Sequence, residues 1–325
     1  VFQKYKKRII YSIVFGALVY LGLSIYANFG HLMIAFGKFN WMIFPLILLL
    51  SSCNYVMRFI KWDYYTKVLG MKIDRKMSLL IFLSSFIMAI TPGKLGEVFK
   101  SYLLKEYNGT SLSRSAPILL AERITDFLSL ILLCMVGVIM FGYDSRLIII
   151  IGVFFIILVA LLSSKTISHA IIGFFERFRI ISKFSHKIYE AYDSIYLMIR
   201  IKELIITIIF SIFAWFFECL GLYFVINSFG IENQVHVDIF VSTFIYGFAT
   251  IAGAVTMLPG GLGATDASIA FMLVSLKKVA ENIAVASTLL IRIATLWFAV
   301  LVGIAAVLTY QKVSHKKISE MSLES

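Results

Sequence analysis

Thr91-Pro92-Gly93-Lys94-Leu95-Gly96-Glu97 cuts one apolar stretch short, and Leu258-Pro259-Gly260-Gly261-Leu262-Gly263-Ala264-Thr265-Asp266 cuts another. Both contain Pro-Gly-x-Leu-Gly. Proline removes a backbone donor and glycine permits positive φ, so a helix entering either motif stops there. Backbone exposed at a break is tolerated at membrane depth only where protein or a wet cavity covers it. An acid follows each break, Glu97 and Asp266, and each acid lies 26 residues before an Arg-Ile pair, Arg123-Ile124 and Arg292-Ile293. Duplicated broken helices with matched charges are a common way to build a transport site near the bilayer midplane.

Working outward, the lengths on either side decide the topology. Met77 to Ile90 is 14 residues, about 21 Å of helix against a hydrocarbon core of roughly 30 Å. Leu95 to Leu104 is shorter still. Residues 77–104 therefore read as a re-entrant hairpin entered from the cytoplasm. Residues 239–276 read as a second hairpin from the opposite face, although its first arm, 239–258, is long enough to span. Full crossings are expected at 9–29, 41–60, 116–141, 147–163, 204–229 and 283–310. The fold class is an all-α polytopic membrane protein with about six transmembrane helices and two re-entrant hairpins. The halves are 1–145 and 146–311, with a cytoplasmic tail at 312–325. Three crossings per half is an odd number, so the repeats are expected to be inverted.

Composition agrees with this. Apolar residues make up 60% of the chain and charged residues 15%, and the mean hydropathy of +0.93 is outside the soluble range. The net charge of +12 does not indicate nucleic acid, because the basic residues form short blocks between apolar runs. Outside the membrane this topology leaves only Lys38, Arg146, Lys277 and Lys278, with Arg123 and Arg292 at depth and the rest of the 30 basic residues inside. Both termini are accordingly expected in the cytoplasm of a plasma-membrane protein. The connector 164–202 carries Ile171, Ile172, Phe174, Phe175 and Phe178, which suit either one face of an interfacial helix or a plain link between halves. Cys53, Cys134 and Cys219 lie far apart in apolar segments, which suggests neither disulfides nor a metal site. No zinc-protease, phosphate-loop or serine-elbow motif occurs, so no cofactor and no catalytic residue is expected.

The candidate site is the set of polar groups at depth. A guanidinium inside a span requires partners or a wet cavity, which makes Arg123 and Arg292 candidates for binding an anionic phosphate. Asp126, three residues after Arg123, could neutralise it locally, and Glu122 lies in the same span. Arg292 has no acid within four residues, and Asp266 is its matched partner. Glu97 and Asp266 either cap the helix after each break or serve as resident counter-ions that a phosphate replaces. The break glycines Gly93, Gly96, Gly260, Gly261 and Gly263 would offer backbone N–H groups to the same anion. Lys94 suits the cytoplasmic entrance or snorkels. Arg58 and Glu218 each stand twelve residues before a glycine, Gly70 and Gly230, and Glu218 could take a proton, an amine or an arginine.

These blocks, with Ala121-Glu122-Arg123-Ile124-Thr125-Asp126 and Arg292-Ile293-Ala294, resemble a family. It is the flippase-like integral membrane proteins related to the transmembrane region of lysylphosphatidylglycerol synthases. The resemblance covers most of the chain. It implies movement between leaflets of a phospholipid or polyprenyl-phosphate-linked lipid with a charged or glycosylated headgroup. The family's aminoacyl-transferring members carry a large additional cytosolic domain, and only a short tail follows residue 310, so synthase activity is not expected. Two other functions compete: a membrane-embedded transferase acting on a lipid-linked sugar with Glu97 or Asp266 as base, and a non-catalytic partner of a separate lipid synthase or glycosyltransferase.

Overall fold

The computed structural model describes residues 18–22, 25, 29–91, 97–142, 146–176, 184–229 and 236–323. The first break, with Gly93, Lys94 and Gly96, lies outside the described residues, as does most of the expected span 9–29. The described residues are helical with no strand, as the apolar runs require. Among the described residues, five helices are long and apolar enough to cross a membrane, or six if one bent pair is counted as a single span.

Among the described residues, the helices of ten residues or more begin with α1 (Phe29–Lys38), α2 (Phe44–Val68), α3 (Arg75–Ser84), α4 (Phe99–Asn108), α5 (Pro117–Phe141), α6 (Arg146–Ser163) and α7 (Lys165–Glu176). After them come α8 (Ser185–Met198), α9 (Ile201–Ile226), α10 (Ile239–Val255), α11 (Ala264–Lys277), α12 (Glu281–Arg292) and α13 (Phe298–Leu323). A π-helical segment, Ile293–Trp297, joins α12 to α13. Local chemistry sets several of the boundaries. Asp74 caps α3 by accepting the N–H groups of Lys76 and Met77, and Asp238 caps α10 through Phe240 and Val241. Gly142 ends α5 in the left-handed region with φ 64°.

Two elements extend beyond the sequence reading. α2 continues to Val68 and carries Lys61 into the interior at 1% exposure, so Lys61 does not belong to a cytoplasmic loop. Among the described residues, the connector after α6 holds the helices α7 and α8. α7 turns 85° from α6 at Ser164 and leaves Ile167, Ile171 and Phe174 exposed, while α8 packs on α5 and buries Tyr192 and Met198.

The interior has two apolar clusters. One gathers α1, α5, α9, α10, α11 and α12, including Trp215, Leu130 and Tyr246. The other gathers α2, α3, the turn Ser85–Met88 and α13, including Tyr55, Phe86 and Leu296. α2 crosses α9, α10 packs on α5, and α3 packs on α13. Glycines set the closest approaches. A Cβ on Gly137 would lie 2.5 Å from Phe244 Cβ, and one on Gly303 would lie 2.3 Å from the backbone N of Ile87. Small residues at crossings let helices in lipid maximise dispersion contact.

Candidate functional site

The second break is built from unusual backbone. Between α10 and α11, Met257, Gly260, Gly261 and Gly263 all take positive φ, a region that disfavours residues with a Cβ. The two arms then press together: a Cβ on Gly253 would stand 1.9 Å from Thr265 Oγ1. Within the turn, Gly261 N–H bonds Leu258 O, Leu262 N–H bonds Pro259 O, and Gly263 N–H bonds Asp266 Oδ2 at 2.7 Å. These three amides are occupied. What this break can turn toward an anion is therefore the guanidinium beside it rather than those N–H groups.

Arg292 Nη2 donates to Gly260 O, and its Nε stands 2.9 Å from Asp266 Oδ1. Neither of those two atoms makes an aligned hydrogen bond, so the contact is an ion pair held by distance. Asp266 is fully buried and closes a capping box at the start of α11. It both caps and neutralises.

The first half differs. Glu97, just before α4, forms an ion pair with Arg123 and lies 3.8 Å from Arg58. Asp126 is not the main partner of Arg123, from which it stands 3.9 Å. Its Oδ1 instead accepts from Lys61 Nζ at 2.6 Å and Ser211 Oγ at 3.0 Å. Glu122 pairs with Lys100 at 2.6 Å, and that ammonium sits 4.6 Å from the Trp62 ring centroid. Glu218 accepts from the Tyr246 hydroxyl at 2.7 Å. Each of these carboxylates thus has a partner, as low dielectric demands.

These groups meet at one hollow. A cavity of about 510 Å³ lies along the seam between the two apolar clusters and is lined by Arg58, Glu97, Arg123, Asp126, Glu218 and Arg292. Gly260 and Gly261 also line it; Asp266 lies behind Arg292. Aromatic walls come from Tyr55, Phe86, Trp215 and Tyr246. Where the lining reaches the surface it is carried by exposed apolar side chains, Leu120, Met257 and Leu258.

Of the residues expected from the sequence, the cavity brings together both arginines, Arg58, Glu97, Asp126, Glu218, Gly260 and Gly261. Glu122 faces Lys100 instead, and Gly263 holds Asp266. Lys61, Lys100, Tyr55, Trp215, Tyr246 and Thr295 were not foreseen. Lys61 lies three residues after Arg58, and Lys100 three after Glu97, spacings that place each pair on one helical face. That signal was available. Among the described residues no group of three or more His, Cys, Asp and Glu could hold a metal ion.

The family model of the lysylphosphatidylglycerol synthase TM region matches residues 9–303, which include every residue lining the cavity. The chain belongs to this lysylphosphatidylglycerol synthase TM-region family. Members similar to it are two proteins of Methanothermobacter thermautotrophicus described as UPF0104 membrane proteins. One is 23% identical over 76% of this chain and 79% of its own length, the other 26% identical over 81% and 82%. A UPF0104 membrane protein of Methanocaldococcus jannaschii is 24% identical over 67% of this chain and 91% of its own. In this member of the TM-region family the charged cavity lies within the shared region.

Proposed function

We propose that the protein is a lipid flippase or scramblase, a transporter rather than an enzyme, acting on a lipid whose headgroup carries a phosphate. Arg123 and Arg292 bind the phosphate, and the acyl or prenyl chains remain in the bilayer. The observation that carries this reading is the common cavity, which both guanidiniums line while its rim is apolar. A volume of about 510 Å³ is that of a small-molecule site. It suits a headgroup rather than two acyl chains, and exposed Leu120, Met257 and Leu258 would let the chains leave sideways into lipid.

The duplicated motif favours transport over chemistry on one face. The hairpin arm α3 packs on α13, and its counterpart α10 packs on α5, so each half's arm rests on the last span of the other. Rocking one pair against the other would expose the cavity to alternate leaflets. The protein then resides in the plasma membrane with both termini cytoplasmic, as the basic loops suggest.

The test is leaflet accessibility of labelled phosphatidylglycerol and polyprenyl-phosphate sugars in proteoliposomes. The wild type should move at least one of these faster than empty liposomes. Arg123→Ala and Arg292→Ala should each lower that rate at least about tenfold, the effect of losing ~1.4 kcal/mol of phosphate binding, whereas Lys38→Ala should not. Movement at the empty-liposome rate for every lipid would sink the proposal, and formation of a new glycolipid would instead favour the transferase.

A further inference from the structure

Independently of the transport reading, we propose that α7 is a membrane-surface binding element. It lies in the headgroup–acyl boundary of the leaflet where α6 ends, and bilayer lipid is its partner. Length comes first. α6 has 18 residues, about 27 Å of helix against a hydrocarbon core of roughly 30 Å, and so uses nearly the whole thickness. The 12 residues of α7, continued on the same axis, would leave the core. Instead α7 runs at 85° to α6, a direction that keeps its whole length at one depth.

The bend is built rather than loose. Ser164 N–H and Ser168 Oγ both donate to Leu161 O, at 3.2 and 3.1 Å, and the Tyr192 hydroxyl donates to Leu162 O at 3.2 Å. These bonds satisfy two carbonyls that the end of α6 leaves open. Ser164 Oγ in turn accepts from Ile167 N–H at 3.4 Å, which caps the start of α7. Tyrosines of α8 take the polar side of α7. Lys165 Nζ lies 4.6 Å from the Tyr196 ring centroid, and the His169 ring lies 5.3 Å from those of Tyr189 and Tyr192. The Tyr189 hydroxyl donates to Glu176 Oε2 at 3.4 Å.

The other side carries Ile167, Ile171 and Phe174, whose spacing puts them in one stripe, with exposures of 44%, 46% and 57%. An apolar stripe opposite a polar face is the pattern of a helix lying in the interface plane. Two observations favour lipid over a second copy of the chain. α7 leaves a span whose Ile150, Phe154 and Ile157 are likewise exposed, a surface that a membrane helix presents to acyl chains. Three side chains on a 12-residue helix also fall short of the roughly 800 Å² per partner of a stable protein interface. The anchor reaches the cavity through two contacts: α7 packs on α8, and α8 packs on α5, which carries Arg123.

Nitroxide labels on Ile167→Cys, Ile171→Cys and Phe174→Cys, one at a time in the full-length protein, read the partner in phosphatidylcholine nanodiscs. Cys53→Ser serves as background, since Cys134 and Cys219 are buried. At all three positions collision with oxygen should exceed collision with a water-soluble nickel chelate several-fold. Their ratio should place them shallower than a label on Phe154→Cys in the middle of α6, and it should fall at His169→Cys on the α8 side. Chelate collision above oxygen at the three positions would put the stripe in water, and low collision with both would mean that protein covers it. A depth equal to that at Phe154 would make α7 part of a bent span, and an equal ratio at His169 would surround it with lipid. Each of these four results overturns the inference, and none bears on the transport reading.

Discussion

Lys61 and Asp126 meet at 2.6 Å with side-chain exposures of 1% and 5%, and their burial sets what each is worth. Both charges have been taken out of water, so the pair contributes little net stability, while removal of one partner leaves the other uncompensated at a cost of about 3–5 kcal/mol. Lys61→Met should therefore lower the unfolding temperature sharply. Adding Asp126→Leu should restore much of the loss, because Ser211 and Thr125 can then bond backbone carbonyls as Thr125 already does to Ala121 O. A fluorescence melt of the two variants in detergent checks this, and a double variant no better than the single would show that the pair acts through packing. Arg123, Arg292 and their acids were legible in the sequence because a charge in an apolar run is conspicuous. Lys61 was not, since it adjoins Lys67 and Lys72 and reads with them as a basic loop; only the continuation of α2 to Val68 takes it inside.

The second break was legible as an element because proline and glycine announce it, and it is as sharp as the motif suggests. Its tightness depends on the Gly253–Thr265 approach, where a Cβ would lie 1.9 Å from the hydroxyl and 3.1 Å from Thr265 Cβ. Gly253→Ala should cost about 1–3 kcal/mol by overpacking and slow any lipid movement by spreading the arms. Thr265→Ala in the same chain removes the nearer atom and should recover part of both losses. A double-mutant cycle on melting temperature and transport reads this coupling, and additive effects would mean that the arms do not share that contact. The π segment Ile293–Trp297 was not legible. No Pro or Gly marks it, and Thr295 O within it accepts the Tyr55 hydroxyl at 3.0 Å, a contact from a distant helix. Such segments interrupt α-helices frequently at functional sites, and Thr295 and Leu296 line the cavity directly after Arg292.

For the whole molecule, the question is which helices meet, and sequence spacing cannot answer it because the contacts join elements far apart in the chain. α10 rests on α5 at Gly137, and the turn after α3 rests on α13 at Gly303. Hydropathy identifies the spans but carries no information on which apolar face meets which, since in lipid all such faces are equally apolar. The two glycines are matched in role and unequal in tolerance. At Gly137 the obstructing atoms are Phe244 Cβ at 2.5 Å and Phe240 O at 3.2 Å, whereas at Gly303 they are backbone, Ile87 N at 2.3 Å and the Phe86 carbonyl carbon at 2.8 Å. A methyl at Gly303 can be accommodated only by moving the 3-10 turn Ser85–Met88, and Phe86 in that turn forms a cavity wall. A methyl at Gly137 displaces α10 and with it Tyr246, which holds Glu218. Both Gly→Ala variants should therefore disturb the site from outside it, Gly303→Ala more than Gly137→Ala. Each should lower the unfolding temperature and the rate of lipid movement together. A variant that kept wild-type transport after losing thermal stability would show that the seam between the clusters is scaffold alone, and would remove the rocking of one pair of elements against the other from the mechanism.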